Sequence, residues 1–260
     1  MVLLKPTLNF EASTLILQVP STPDAPSSSH SIPFAAPADA EHHHTFQIWG
    51  SQFDGYEVGT PELLCSLSDF MGRPVLLILK GDTPRAAGVF DEWRQSDAVA
   101  PVYGEGNGTP TTLWSDMAPV LIVSEESRRK VADMIAREGK EHKGFDGERW
   151  DGKEESLEIE RWRGNVVVEG VGEPWEEDSW AEIQFERPGG ERVEWFISSR
   201  CARCISSQLP NVDPASGIRD KVVPDKLLRP SRENVWPFMA SKIVSFTLLQ
   251  HLIKDLIFEM

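Results

Sequence analysis

The stretch Trp180-Ala-Glu-Ile-Gln-Phe-Glu-Arg-Pro-Gly-Gly-Glu-Arg-Val-Glu-Trp-Phe-Ile-Ser198 decides the fold of this chain. Apolar and polar residues alternate on both sides of Pro188-Gly189-Gly190, and a turn between two alternating segments is typical of a β-hairpin. The stretch therefore predicts two antiparallel strands, at residues 180–185 and 193–198.

Short segments of strand character recur along the rest of the chain. They are predicted at residues 8–19, 45–49, 75–79, 120–123, 157–162 and 165–168. Helical spacing predicts one helix over residues 61–70 that stops at Gly72, and another that begins after Ser124 as N-cap and ends at Gly139. Many short strands with few helices favour a mainly β or α+β fold of barrel-like form.

The remaining segments are predicted to be loops, apart from the C-terminal stretch. Residues 20–44, which include His42, His43 and His44, and residues 140–156 are rich in loop-forming or charged residues. The apolar stretch 243–258 predicts a buried or partner-facing helix. Lys254 and Asp255 interrupt it, which leaves it too short for a membrane span.

Composition limits the classes of function. The chain has 260 residues and a net charge of -15, which fits one large domain or two small ones. Phosphate backbones require clustered positive charge, so the acidic balance argues against a nucleic-acid binder. Three cysteines, without an evident secretory signal, do not form a disulfide framework and indicate a reducing, intracellular compartment.

Cys201 and Cys204 form the first candidate site. Arg200 and Arg203 flank them, and nearby positive charge favours the thiolate that ligates soft metals or attacks substrates. A single CxxC cannot supply the four ligands of a structural zinc site, and we expect Cys65 to be buried in the 61–70 helix. A redox pair remains an alternative, although the βαβ context typical of thioredoxin-like motifs is missing.

Arg161 and Arg163 form the second candidate site. At i and i+2 on the predicted strand they would point to the same face, and arginine forks suit phosphate recognition. The alternative is that both arginines pair with the acidic stretch 173–178, and the residues alone favour it.

Taken together, these motifs resemble the MOSC family, named for the C-terminal domain of molybdenum cofactor sulfurase. Within it the chain looks most like the branch that includes the mitochondrial amidoxime-reducing component and its fungal relatives. The matching segments are Arg161-Trp-Arg-Gly-Asn165, Glu177-Asp-Ser-Trp180, Arg200-Cys-Ala-Arg-Cys204, Val212-Asp-Pro214 with Gly217, and Ser115-Asp116 with 119–127. As a set these segments are specific.

The resemblance implies a site for a pterin-type molybdenum cofactor. Cys204 is expected to ligate the metal, since thiolates suit this soft-ligand role, and Cys201 to adjoin it. Arg163 and Asn165 are expected to hold the cofactor's phosphate and pterin. Four further residues are expected to assist: Arg161, Arg203, Asp213 and Asp116. The family as a whole is also associated with pyridoxal phosphate.

The resemblance further implies an activity and partners. Members of this branch reduce N-hydroxylated substrates with electrons from a cytochrome b5-type donor and its reductase, in mitochondria or cytoplasm. The implied domains are a partial N-terminal MOSC-like β domain at 1–110, a MOSC barrel at 111–229 and a divergent apolar tail at 230–260. Three additional residues between Cys204 and Val212 distinguish the chain from its relatives.

Other functions stay open at this point. Cys204 could carry a persulfide in cofactor maturation, although no aminotransferase-like sulfurase domain is attached. A non-catalytic MOSC-like module that binds partners through its acidic surface is a third possibility. A simple zinc or redox CxxC protein has the least support.

Overall fold

The structure is a computed structural model and describes most of the chain. The described residues are 3–22, 26–35, 37, 42–48, 51–83, 85–86, 111–112, 120–153, 156–202, 209–228 and 238–244, with the backbone alone for 48, 51, 85–86, 111–112, 196, 198–202, 209 and 238–244. They fall into two compact units, one within Met1–Arg85 and the other within Ala86–Lys254. Arg85–Ala86 (β7) and Thr111–Thr112 (β8) pair as a short ribbon.

The first unit contains two antiparallel three-stranded sheets and a helix. One sheet has the order β1 (Lys5–Asn9), β2 (Thr14–Val19), β3 (Ser28–Pro33), and the other the order β4 (His43–Ile48), β5 (Ser51–Val58), β6 (Leu77–Lys80). The helix, α1, is Pro61–Met71. The predicted strands within 8–19 and near 45–49 and 75–79 are confirmed within a few residues.

Helix α1 begins and ends where its sequence predicts. The Thr60 side chain accepts a hydrogen bond from the Leu63 backbone N–H at 3.3 Å, and Gly72 takes the left-handed conformation at φ 65°. Leu63 packs with Leu17 and Ile32 in the buried core of this unit. Cys65 lies on the other side of the helix and is exposed, so the prediction that it is buried is wrong.

The predicted loop over residues 20–44 is also wrong in part. Residues 28–33 form β3, whose pairing with β2 runs in register from Thr14↔Pro33 to Val19↔Ser28. Pairing and the burial of Ile32 outweigh the weak strand propensity of this Ser-rich segment.

His43 belongs to a polar cluster on the second sheet of this unit. Its Nε2 lies 2.9 Å from Asp54 Oδ2, and Asp54 Oδ1 accepts a hydrogen bond from the Thr83 backbone N–H at 2.8 Å. The Lys80 Nζ lies 3.7 Å from the same carboxylate. Hydrogen bonding from His43 is the main cause that holds the pKa of Asp54 well below its ordinary value.

Asp54→Asn is expected to reduce the acid sensitivity of this unit. Because the pKa of Asp54 is lower in the folded state, its ionised form stabilises the fold above the unfolded value of about 4, and this stability is lost as pH falls further. Thermal unfolding midpoints between pH 6 and pH 3 should therefore decline less steeply in the variant. Asp82→Asn, at an exposed neighbour, is the matched control, and equal slopes in both variants would contradict the prediction.

The second unit combines a mixed sheet with helices. Its strands are β9 (Val120–Ser124), β10 (Val166–Val168), β11 (Glu182–Glu186), β12 (Arg192–Ala202) and β13 (Phe238–Val244), and its helices are α2 (Glu125–Glu138), α3 (Gly147–Trp150) and α4 (Asp225–Leu228). The strand order is β10-β9-β13-β12-β11, in which β10 is parallel to β9 and the other pairs are antiparallel.

Alternate residues of β9 enter two cores. Leu121 and Val123 pack into a core with α2, Trp150 and Trp162, whereas Val120 and Ile122 pack with Trp195 and other residues of the hairpin. A strand whose two faces are both buried reads as a continuous apolar run, which is why 120–123 is visible in the sequence. The predicted hairpin is confirmed by the β11–β12 pairing, and the Ser124 N-cap accepts from the Ser127 backbone N–H.

The second unit differs from the sequence-based predictions at three places. Residues 159–162 form a 3-10 helix instead of a strand. Residues 243 and 244, at the start of the expected C-terminal helix, belong to β13, which lies in the middle of the sheet between β9 and β12, and the rest of that expected helix, 245–258, lies outside the described residues. The predicted 140–156 loop contains the short helix α3.

The architecture is therefore of the mixed α+β class, with several small sheets and few helices. Among the described residues the hydrogen-bonded order ends at β10 and at β11, and a closed barrel stays a prediction. Within the same residues, each helix is too short or too polar to cross a bilayer.

Candidate functional site

The structure describes only part of the predicted site. Cys204, Arg203 and Asp116 lie outside the described residues, and Cys201 is described by its backbone alone, on β12. Their assignments stay predictions. Arg161, Arg163, Asn165 and Asp213 are described with their side chains and are treated in turn.

Arg161 and Arg163 do not share a face, which corrects the strand-based prediction. Arg161 belongs to the 3-10 helix Ile159–Trp162 and is 3% exposed, whereas Arg163 follows that helix in the left-handed conformation and is exposed. A turn of 3-10 helix and a reversal at its end separate two side chains that a strand would have aligned.

Arg161 is held by partners within the fold. Its Nε lies 2.8 Å from Glu158 Oε2, and its Nη2 lies 3.7 Å from Asp213 Oδ2. Its Nη1 donates to the Pro210 carbonyl at 3.4 Å. These partners are not the acidic stretch 173–178 that the sequence favoured. The prediction that Arg161 pairs with acidic residues of the fold nevertheless holds. Its buried charge is compensated by Glu158 and Asp213, so it is not available to a ligand.

Asp213 organises the turn of the Val212-Asp213-Pro214 motif. Its Oδ1 accepts hydrogen bonds from the backbone N–H groups of Ala215 and Ser216 at 2.8 and 2.9 Å. Burial opposes ionisation, but these bonds and the two nearby arginines hold the pKa of Asp213 below its ordinary value. Both carboxylate oxygens are engaged, so Asp213 supports the site from within the fold.

Arg149 completes this cluster and is the residue that sequence reasoning missed. Its Nη2 lies 2.8 Å from Asp213 Oδ2, and its guanidinium lies over the Trp150 ring at 5.6 Å from the centroid. Arg161 also lies over this ring, at 5.5 Å. Arg149 stands 64 positions from Asp213 in a segment predicted to be a loop, so no spacing rule connects the two.

Arg163 presents an exposed guanidinium next to the sheet. Its φ of 55° is uncommon for a non-glycine residue, and its backbone N–H donates to the Glu160 carbonyl at 2.9 Å. In the part of the chain that the structure describes, its side chain has no hydrogen-bonding or ionic partner. The guanidinium is therefore exposed on a backbone that the fold fixes.

Asn165 fixes the segment to the edge of β9. Its backbone N–H donates to the Leu121 carbonyl at 2.8 Å, and its Oδ1 accepts from the Leu121 backbone N–H at 2.9 Å. The side-chain oxygen is thus used within the fold, and only the Nδ2 amino group remains for a ligand.

Gly164→Ala is expected to destabilise the second unit by about 2 kcal/mol, as overpacking of a close contact does. A Cβ at Gly164 would lie 2.5 Å from Val123 Cγ2, and Val123 is fully buried. Urea denaturation monitored by circular dichroism measures this loss. Gly170→Ala would not serve as a control because φ is 89° there, so Gly147→Ala, whose Cβ would lie in ordinary contact 3.4 Å from the Asp151 carboxylate, is the comparison. Equal stability of the two variants would contradict the prediction.

The Glu177-Asp178-Ser179-Trp180 motif serves the fold. Glu177 is fully buried, and its Oε1 accepts hydrogen bonds from Ser124 Oγ and Ser127 Oγ at 2.9 and 2.6 Å. Ser127 Oγ in turn accepts from the Trp175 backbone N–H at 2.8 Å, where φ is 71°. The motif therefore attaches a strained loop to the N-terminus of α2.

One row of residues connects the two halves of the predicted site. Val166 pairs with Ile122, Ile122 with Ser241, and Ser241 with Arg200. The Arg-Gly-Asn segment before β10 and the cysteine segment at the end of β12 thus belong to one sheet. Three strand spacings separate them, which is about 14 Å across a flat sheet and less across a coiled one.

A comparison with protein families matches part of the chain. Residues 109–230 match the model of the MOSC domain family. A MOSC domain suggests a function related to the molybdenum cofactor. The comparison with curated proteins found no match for the chain.

The sheet of the second unit extends beyond the residues that match the MOSC model. The MOSC match ends at residue 230, but the central strand β13 spans Phe238–Val244. Among the described residues no group of three or more His, Cys, Asp or Glu side chains is placed to hold a metal ion, and Cys204 is outside that set.

Proposed function

We propose that the MOSC-matching segment binds a molybdenum cofactor through Arg163, Asn165 and Cys204. The observation that carries this proposal is the exposed Arg163 guanidinium, which has no partner among the described residues although its backbone is fixed. A side chain that the fold positions but does not use is suited to a ligand, and a guanidinium fork suits a phosphate.

The described residues fit this group in part. Arg163 offers phosphate donors and Asn165 offers its Nδ2 amino group, while Arg161 and Asp213 hold the surrounding turns through their mutual contact. We therefore assign Arg161 and Asp213 as positioning residues. Cys204 is proposed as the metal ligand, with Cys201, Arg203 and Asp116 around it, because the order of the motifs matches the family.

The proposed activity is reduction of N-hydroxylated compounds. When bound, the molybdenum cofactor would supply the two-electron chemistry that removes oxygen from nitrogen. The chain's own residues would hold the cofactor's phosphate and keep the Cys204 sulfur as a thiolate through the charge of Arg203. A cytochrome b5-type protein and its reductase, in mitochondria or cytoplasm, are the proposed electron source.

Metal content tests the binding proposal. After reconstitution with molybdenum cofactor, the purified chain is expected to contain near-stoichiometric molybdenum by mass spectrometry. Arg163→Ala and Cys204→Ser should each lower that content about tenfold, which corresponds to losing one charge-assisted contact or the metal ligand. Arg192→Ala removes the same charge from an exposed position on β12 and should leave the content unchanged.

Two results would contradict the proposal. If the reconstituted wild-type protein contains no molybdenum, the proposal that it binds the cofactor is wrong. A persulfide on Cys204 in that protein would favour the sulfur-carrier alternative. Equal molybdenum in the Arg163→Ala and Arg192→Ala variants would overturn the role of Arg163. The reductase activity is assayed separately, with benzamidoxime as the N-hydroxylated probe.

A further inference from the structure

A cleft of about 350 Å³ lies beside the Arg149–Asp213 cluster and is not used by the proposed function. Residues 144–149 form one wall and residues 218–221 the other. Its volume is at the lower end of the range for small-molecule sites. The cleft belongs to the second unit alone.

The base of the cleft is fixed by hydrogen bonds. Trp150 Nε1 donates to Asp220 Oδ2 at 2.6 Å, and the Asp220 backbone N–H donates to the Asn211 carbonyl at 2.8 Å. Val212 and Arg219 form an antiparallel bridge below the second wall. A site whose walls are ordered before binding loses less conformational entropy when a ligand enters.

Hydrogen bonds within the fold engage the two aspartates of the cleft, whereas Arg149 keeps donors to offer. Asp220 is buried and accepts from Trp150 and from the backbone N–H groups of Val222 and Val223, and Asp146 caps α3. Arg149 is 19% exposed and directs only Nη2 to Asp213, so its Nε and Nη1 have no partner in the described part of the chain.

Lys221 adds a second available cation at the same cleft. It is exposed, and no described side chain pairs with it. Counting Arg219, three cations line the cleft against three carboxylates, Asp146, Glu148 and Asp220. On a chain with a net charge of -15, a lining whose charges balance is less acidic than the chain as a whole.

The walls of the cleft also offer apolar surface. Phe145 is half-buried beside Gly144, and Ile218 is 60% exposed at the facing wall. Small-molecule sites combine apolar surface with a few polar groups, and Phe145 and Ile218 would supply the apolar part here.

We propose that this cleft binds a small anion, a carboxylate or a phosphate, that carries an apolar group. The anion would lie between the free edge of Arg149 and the Lys221 ammonium, and the apolar group would contact Phe145 and Ile218. This site is independent of the molybdenum cofactor, so its test and the metal analysis can fail separately.

Calorimetric titration of the full chain with benzoate and phenyl phosphate tests the proposal, with benzyl alcohol as the neutral isostere. At least one anion is expected to bind about tenfold more tightly than benzyl alcohol, as expected for charge-assisted recognition by an arginine fork. The preferred anion identifies the natural ligand as a carboxylate or a phosphate.

Two variants localise the binding. Lys221→Glu should weaken the anion about tenfold, whereas Lys226→Glu, an equal charge change at an exposed residue outside the cleft, should weaken it less than twofold. Arg149→Lys keeps a charge near Asp213 but loses the fork, and should also weaken binding about tenfold with little change in the unfolding midpoint. Equal affinities for the anions and benzyl alcohol, or equal effects of the two lysine variants, would overturn the proposal.

Discussion

Replacement of Lys242 by proline is expected to abolish cooperative folding of the second unit. Lys242 pairs with Leu121 on one side and with Ser199 on the other, so its backbone lies in the middle of the sheet. Proline removes a backbone donor from the ladder there, and for this reason it is confined to edge strands, strand starts and bulges. Domains have a stability of only about 5–15 kcal/mol, so disruption of the central strand is expected to abolish cooperative folding.

Lys242→Ala provides the control for that experiment. The difference between the alanine and proline variants at one position isolates the contribution of the backbone. Circular dichroism and urea denaturation of both variants give the measurement. A proline variant as stable as the alanine variant would place β13 outside the sheet, and the connection between the cysteine strand and β9 would then be wrong.

Glu177→Ala should cause the second large loss of stability, of about 3 kcal/mol. The substitution removes a buried acceptor from the Ser124 and Ser127 hydroxyls and leaves a space beside them. Lost hydrogen bonds of this kind cost about 1–3 kcal/mol each. The loop that begins at Trp175 would then have one fewer attachment to α2.

Glu173→Ala is the matched control, because Glu173 is an exposed acidic residue in the same loop. It should change the free energy of unfolding by no more than about 0.5 kcal/mol. Glu177→Gln retains the side-chain shape and one acceptor, and we expect an intermediate value. If alanine at 177 and at 173 have the same effect in urea denaturation, the buried network does not contribute to stability.

The sequence allowed the regular elements to be predicted well. Ser124 and Thr60 are helix caps with their own local hydrogen bonds, and the apolar run 120–123 and the 188–190 turn are local signals as well. Such features depend on residues within a few positions of one another, so a sequence displays them directly.

Features that depend on distant partners were harder to predict. Residues 157–160 alternate between apolar and polar as a strand does, but Arg161 contacts Glu158 and Asp213 within the fold, and residues 159–162 form a 3-10 helix. Residues 238–244 gain their strand conformation from β9 and β12, which local propensity does not reveal.

The same distinction between local and distant determinants applies to the candidate site. The motifs indicated which segments matter, and the structure separates residues that support the fold, such as Arg161 and Asp213, from Arg163, which remains available. A motif marks residue identity, whereas availability depends on burial and on partners that are remote in sequence. Arg149 illustrates this, since only the folded chain brings it to Asp213.

The position of β13 has a consequence for how the protein is made. Ile243 pairs with Val120, so the middle of the sheet joins segments that are more than a hundred residues apart. Pairing of this kind requires closure of a long loop and is slow. During synthesis, β9 cannot pair with β13 until residue 244 has emerged from the ribosome. In that interval the apolar residues of β9 are unpaired and can bind chaperones or aggregate. The second unit is therefore expected to complete its sheet only after β13 has left the ribosome.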